Sequence, residues 1–191
     1  LSTAKLFLDS DYKVINLSRR PCPDERTIHM RTDLTDPDFY SLIEADICNL
    51  ESYEDQIPSY IDGCYHLAAN PSATDSMANY LNTHKINLGG TLAVFDWASR
   101  MLQKQHKVVK VVYASSCAVY GANHVMPLSE ISDQFPLNGY GADKKCGEIH
   151  ARMVALLFIR KEAWEAAGGI MTVYITSTGA FLPGPPISVG E

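Results

Sequence analysis

Between Val108 and Gly121 an apolar run of Val108, Val109, Val111, Val112 and Tyr113 opens directly into Ala114-Ser115-Ser116-Cys117-Ala118-Val119-Tyr120-Gly121. A β-branched run of this kind reads as a buried strand, expected over Val108–Ala114. Ligands of open α/β sheets bind beyond the carboxyl ends of strands, and Ser116 stands at such an end. Tyr140-Gly141-Ala142-Asp143-Lys144 follows at the start of a predicted helix. Tyr140 and Lys144 are then i and i+4, on one face, so a phenol, an ammonium and the Ser116 hydroxyl form one candidate site.

The rest of the chain alternates in the same way. Leu1 to Leu8 fits the end of a packed helix, Val14–Leu17 a short buried strand, and Ser18 to Asp38 a long polar excursion. A second strand is expected over Tyr40–Ala45, a helix over Leu50–Ile61 that Pro58 interrupts or ends, and a strand over Cys64–Ala69. From Met77 to Leu102 the positions Leu81, Leu88, Leu92, Phe95 and Leu102 predict one helix. Gly89-Gly90 inside it suggests close backbone approach. A helix from about Tyr140 to Ala167 and a strand over Ile170–Ile175 complete the pattern, and Gly179 to Glu191 reads as loop. Strands alternating with helices predict a doubly wound parallel sheet.

The 191 residues suffice for one domain with a sizeable core, and the net charge of -6 argues against a general nucleic-acid binder. Five cysteines, Cys22, Cys48, Cys64, Cys117 and Cys146, lack a paired spacing, so reduced thiols in a cytoplasmic protein are expected. No apolar run reaches membrane-spanning length, and no membrane partner is expected. Cys146 and His150 stand at i and i+4 but without a further ligand at suitable spacing, so no metal is predicted. Each other polar position also has an ordinary role to weigh. Ser116 could cap a turn, Asp46 end a strand, Asn87 bridge backbones and His66 pack at a strand end. Lys104, His106, Lys107 and Lys110 suit a solvated helix end, and Phe95 and Trp97 suit the core.

Four ordered motifs carry a resemblance. His66-Leu67-Ala68-Ala69, Asn87-Leu88-Gly89-Gly90-Thr91, Ser115 to Gly121, and Tyr140 to Lys144 with Glu148 resemble those of the extended short-chain dehydrogenases/reductases. Val112 to Ser116 and Gly147 to Arg152 look most like the UDP-glucose 4-epimerases within the NAD-dependent epimerase/dehydratase group. The resemblance implies a Rossmann-like NAD(P)-binding domain over 1–178, with 179–191 beginning a substrate-binding region. It implies an isomerase in which Ser116, Tyr140 and Lys144 are catalytic. Arg19, Asp46, Ile47, Ala68, Ala69, Asn87, Ser115, Tyr140 and Lys144 would bind the cofactor. Ser116, Cys117 and Thr176 would face a nucleotide-sugar substrate. Free tyrosine titrates near 10, so Lys144 and the positive nicotinamide would be needed to favour a phenolate base. Tyr140 would take the proton of a sugar hydroxyl while hydride leaves for the nicotinamide. A homodimer through the Met77–Leu102 and Tyr140–Ala167 helices is also implied.

Three departures shape the expectation. The family's first strand and Gly-rich turn are not recognisable before Leu1, so the chain is expected to lack them together with most of the substrate domain. After Leu17 stands Ser18-Arg19-Arg20 where an acidic residue commonly binds ribose; the arginines suit NADP, whereas another register leaves the acidic residue missing and NAD the cofactor. Val173 or Tyr174, and Thr176, replace the arginine and asparagine that usually help hold the sugar nucleotide. A reductase of the same superfamily, or a binding remnant without chemistry, stays open at this point.

Overall fold

The computed structural model of the chain describes residues 7, 10, 12–19, 38, 40–123 and 126–158. The expected helix end over 1–8 apart from Phe7, most of the excursion to Asp38, the continuation to Ala167, the strand at Ile170–Ile175 and the tail from Gly179 lie outside the described residues. Two compact units are present, Leu1–Pro58 and Ser59–Glu191.

In the first unit, β1 (Val14–Ser18) and β2 (Tyr40–Glu44) pair in parallel, with Val14 opposite Tyr40 and Ser18 opposite Glu44. The Asn16 amide donates to the Tyr40 hydroxyl at 3.0 Å across the pair. After β2, the Asp46 carboxylate accepts from the Cys48 amide at 2.9 Å and starts a 3₁₀ segment, Ile47–Gln56. The expected helix over Leu50–Ile61 is therefore displaced towards the N-terminus. A capping carboxylate sets its start. Its end comes before Pro58, whose ring pushes Ile57 into extended backbone (φ -87°, ψ 131°).

In the second unit, β3 (Gly63–His66) and β4 (Lys110–Tyr113) also pair in parallel, and the Ala114 amide extends the ladder by donating to the His66 carbonyl at 3.2 Å. Both strands are shorter than expected, so Leu67–Ala69 and Ala114 belong to the loops at their carboxyl ends. The single helix expected over Met77–Leu102 is a series: α1 (Ala73–Ala78), α2 (Tyr80–His84), a π segment over Lys85–Gly89, and α3 (Gly90–Gln105). Its buried line runs through Thr83, Asn87, Thr91 and Phe95, whereas Leu81 is 79% exposed. Polar groups can take the inner face because their hydrogen bonds are made there: the Thr91 hydroxyl donates to the Asn87 carbonyl at 2.6 Å, and the Ser99 hydroxyl to the Phe95 carbonyl at 2.9 Å. Gly89 does not allow a close backbone approach as expected, since a Cβ there would meet only the Lys85 side chain at 3.9 Å.

At the far end of α3, Gln105 clamps the segment entering β3. Its amide oxygen accepts from the Ile61 amide and its nitrogen donates to the Ile61 carbonyl, both at 2.9 Å. Within the basic cluster, Lys107 pairs with Asp62 at 2.9 Å.

Phe95, Tyr113 and Ala151 form the core, with Val111 and Val154 packed against it; Trp97 is likewise buried. Ala151 belongs to α4 (Gly139–Phe158), so α3 and α4 both bury their inner faces on the strand pair. His66 is buried beside this core and stacks on Tyr113 with ring centroids 5.7 Å apart. Its Nε2 lies 2.9 Å from the Thr91 oxygen, whose own proton is committed to Asn87, so His66 is the donor. Burial first, and then the Lys144 charge, push the His66 imidazole down to about 4.

The unfolded chain thus takes up this proton near 6.5 and the folded chain only near 4, so stability is lost as pH falls through that window. We expect a loss of up to about 3 kcal/mol there, read by denaturant unfolding at stepped pH, with a flatter profile in His66→Gln. A pH-independent midpoint between 6.5 and 4 would contradict the buried neutral imidazole. Among the described residues no helix is long and apolar enough to cross a membrane.

Candidate functional site

The site is built where β4 ends. Ser116 has extended backbone and caps a 3₁₀ turn over Cys117–Val119, its hydroxyl accepting from the Ala118 amide at 3.2 Å. The capping role anticipated for it is therefore real, and it fixes where the hydroxyl stands. Beyond this turn Gly121 adopts φ +46°, and a side chain there would run into the Phe135 carbonyl. The intervening loop closes on itself, the Phe135 amide donating to the Tyr120 carbonyl at 3.3 Å and the Ala122 amide to the Phe135 carbonyl at 2.9 Å.

That return delivers the chain to α4. Asn138 accepts from the Gly141 amide at 2.9 Å, satisfying a donor of the first turn. Gly141 is the contact point between helix and turn, since a Cβ there would stand 2.6 Å from the Ala118 carbonyl oxygen. Tyr140 directly precedes this contact on α4, and Ser116 stands two residues before it in the turn. The glycine inside the tyrosine-to-lysine stretch is thus a packing requirement.

Lys144 follows one turn later and is 3% exposed. Its Nζ donates to the Ala114 carbonyl at 2.6 Å, lies 4.8 Å from the Tyr113 ring centroid and 5.9 Å from that of Tyr140. Burial pushes this lysine down to about 8, with the Asp143 carboxylate opposing the fall. Burial also raises the Tyr113 phenol, which donates to the Lys144 carbonyl at 3.4 Å and so serves packing rather than proton transfer. Gly147 makes room for that phenol, because a Cβ at 147 would overlap it.

Around this centre lie carboxylates whose pairing was not foreseen. Glu148, 2% exposed, accepts from the Ser115 hydroxyl and, at 2.9 Å, from the Gln134 amide. Lys145 in turn donates to the Gln134 carbonyl at 2.8 Å, tying the loop before α4 to the helix. Asp143, 3% exposed, meets His84 Nδ1 at 2.6 Å. A carboxylate on the inward turn between Tyr140 and Lys144 was the available signal; its partner, far away in sequence, was not readable.

The remaining predicted positions fall as follows. At the end of β3, Ala68 is exposed and Ala69 half-buried. Asn87 accepts from the Asn70 amide at 2.7 Å and donates to the Asn70 carbonyl at 3.1 Å, pinning that loop. Cys117 is exposed in the Ser116 turn. Arg19 is exposed after β1, and Asp46 and Ile47 follow β2, all three in the first unit at the carboxyl ends of adjacent parallel strands. Arg20 and Thr176 lie outside the described residues. Within the second unit, the short Ala68 and Ala69 side chains and the pinned Asn70 backbone at the end of β3 are compatible with a flat ligand such as part of a dinucleotide.

In the second unit a parallel strand pair with helices between its strands, and Ser116, Tyr140 and Lys144 beyond the carboxyl end of β4, define a Rossmann-like α/β protein. A crystal structure of a UDP-galactose 4-epimerase shares this fold with a TM-score of 0.65 and 27% identity, over 82% of this chain and 48% of that one. The UDP-glucose 4-epimerase from Brucella ovis, solved in complex with NAD, matches with a TM-score of 0.64 and 24% identity over 82% of this chain and 44% of that one. The chain belongs to the NAD dependent epimerase/dehydratase family, whose profile matches residues 2–158. Among curated proteins, a probable UDP-arabinose 4-epimerase from Arabidopsis thaliana is 36% identical over 87 residues, which are 46% of this chain. That match spans 20% of the Arabidopsis protein's own length.

Proposed function

We propose that the chain forms the NAD-binding and catalytic part of a nucleotide-sugar 4-epimerase. One observation carries the assignment of the site: the buried Lys144 ammonium, held on the Ala114 carbonyl at the end of β4, faces the Tyr140 ring. Family membership and UDP-sugar 4-epimerases among the relatives support the substrate class. Residues 1–178 would make up the cofactor domain, with Arg19, Asp46 and Ile47 towards the adenosine and Ala68, Ala69, Asn87, Ser115, Tyr140 and Lys144 along the cleft. NAD, when bound, supplies the hydride acceptor and donor.

The residues of the chain do the rest. Ser116 orients the sugar hydroxyl by a hydrogen bond. Tyr140, as phenolate, removes the hydroxyl proton and later returns it. Lys144 stabilises the phenolate and is itself held by Ala114, so it cannot swing away. Ser116, Cys117 and Thr176 would face the sugar nucleotide. The protein is proposed to be cytoplasmic and to pair with a second copy through the Met77–Leu102 helices and the helix that starts at Tyr140. Exposed Met77, Tyr80 and Leu81 on one side and Ile149 and Met153 on the other support that pairing.

The full-length protein is expected to interconvert UDP-sugars epimeric at C4 with catalytic NAD, followed by product chromatography, and to bind NAD more tightly than NADP in fluorescence titration. Reduction of a carbonyl compound with stoichiometric cofactor use would favour the reductase instead. Failure to bind either dinucleotide would leave a remnant.

A further inference from the structure

The roles assigned above leave Glu148 without a task, although it is 2% exposed and lies on α4 one turn after Lys144 and two after Tyr140. Its two oxygens meet two donors. One accepts from the Ser115 hydroxyl and the other, at 2.9 Å, from the Gln134 side-chain amide. A carboxylate accepts at both oxygens, whereas an amide of the same length presents a donor at one of its two ends. Residue 148 is therefore matched to its neighbours by acceptor count as well as by size.

These two bonds grip the Ser116 turn from both flanks. On the strand side, α4 holds the end of β4 at two successive residues: Lys144 donates to the Ala114 carbonyl at 2.6 Å, and Ser115 donates to Glu148. Ser116 comes next, with extended backbone (φ -154°, ψ 149°), and its hydroxyl accepts from the Ala118 amide at 3.2 Å. Successive side chains of extended backbone point to opposite sides, so turning Ser115 onto Glu148 also sets the side on which Ser116 stands. On the loop side, Gln134 is fixed a second time by Lys145, which donates to its carbonyl at 2.8 Å. Its neighbour Phe135 bonds through its backbone to Tyr120 and Ala122, just beyond the turn. Glu148 is the group common to both flanks.

We propose that Glu148 is a positioning residue that fixes the Ser116 hydroxyl for the reaction, acting through Ser115 on one flank of the turn and Gln134 on the other. It deepens the epimerase reading and rests on it for the catalytic meaning of Ser116.

The test is amide hydrogen exchange of the full-length protein, followed residue by residue by NMR without substrate. The Ala118 amide reports the Ser116 cap directly, and the Ala114 amide, bonded to the His66 carbonyl, reports the strand ladder beside it. In Glu148→Gln the Ala118 amide is expected to exchange about tenfold faster, the order of one lost hydrogen bond to a charged group, while Ala114 keeps its protection. Turnover should fall about 10- to 100-fold with NAD affinity unchanged, because a hydroxyl slightly out of place no longer orients the sugar. The double substitution Gln134→Glu with Glu148→Gln exchanges the two partners, so that the amide at 148 accepts from Ser115 and donates to the carboxylate at 134. It should restore most of the Ala118 protection and of the turnover.

Ala118 exchange at the wild-type rate in Glu148→Gln overturns the proposal, as does equal acceleration at Ala118 and Ala114, which reports general loosening. Should Glu148→Gln fail to fold, Gln134→Ala at its half-buried position decides instead: it frees one Glu148 oxygen and should speed Ala118 exchange in the same direction, and an unchanged rate there overturns the clamp. The exchange measurement needs no substrate, so its outcome is separate from that of the epimerase assay. An inactive wild type whose variants show the local change at Ala118 upholds the clamp and sinks the epimerase reading; an active one whose variants leave Ala118 unmoved does the reverse.

Discussion

On the proposed role of Tyr140 as base, Tyr140→Phe in the full-length protein is expected to lower turnover by about 10²- to 10⁴-fold while NAD affinity and the unfolding midpoint stay near those of the wild type. The substitution removes one oxygen and leaves the ring, so the placement of Lys144 5.9 Å from its centroid is kept. Cofactor contacts distributed over many residues survive the loss of one hydroxyl. For the proposed proton removal, neither neighbouring hydroxyl among the described residues is a ready substitute: Ser116 is engaged as acceptor from Ala118, and the Tyr113 phenol is raised by burial. Steady-state kinetics with a UDP-sugar, run beside NAD titration and thermal unfolding, gives the answer. Turnover within a few-fold of wild type would remove Tyr140 from the reaction.

The second large effect is expected far from any substrate contact. Gly147→Val should cost about 3 kcal/mol of stability through overpacking, with Gly147→Ala smaller in the same direction. A Cβ at this position overlaps the Tyr113 phenol, and Tyr113 cannot yield. It is 1% exposed, with His66 stacked on one side and Phe95 edge-on at 6.0 Å on the other. The helix must therefore move off the strand. Because Lys144 reaches Ala114 from this same helix, the valine variant should lose activity in step with stability. Chemical denaturation of Gly147→Val with a midpoint equal to that of the wild type would show that α4 does not lie on Tyr113 in this way.

Much of this arrangement could be read from residue types. The Val108–Tyr113 run announced β4, and its opening into small hydroxyl residues announced a site at its end. Tyr140 and Lys144 share a face because helical periodicity is local. Phe95, Trp97 and His66 were placed correctly as interior groups. The long helix was misjudged because leucines were taken to mark the buried face. Its inner line is Thr83, Asn87 and Thr91, and a polar line can be buried only if distant backbone groups answer it, as Asn70 does for Asn87. Local sequence carries no record of such partners. The same holds for His84 with Asp143 and Gln134 with Glu148, each joined only once the chain has folded back.

The parallel pairing of β3 with β4 has a consequence for how the molecule is made. His66 meets Tyr113 only after α1, α2, the π segment and α3 have all been threaded between them, so no hairpin can nucleate the pair. Contacts of such high sequence separation close late and slowly, because loop entropy is lost before the contacts form. Groups that hold Lys144 depend on that closure: Ala114 directly and Tyr113 through its ring. The surroundings of Lys144 are therefore expected to form with that pairing, so recovery of its depressed titration during refolding should coincide with global folding.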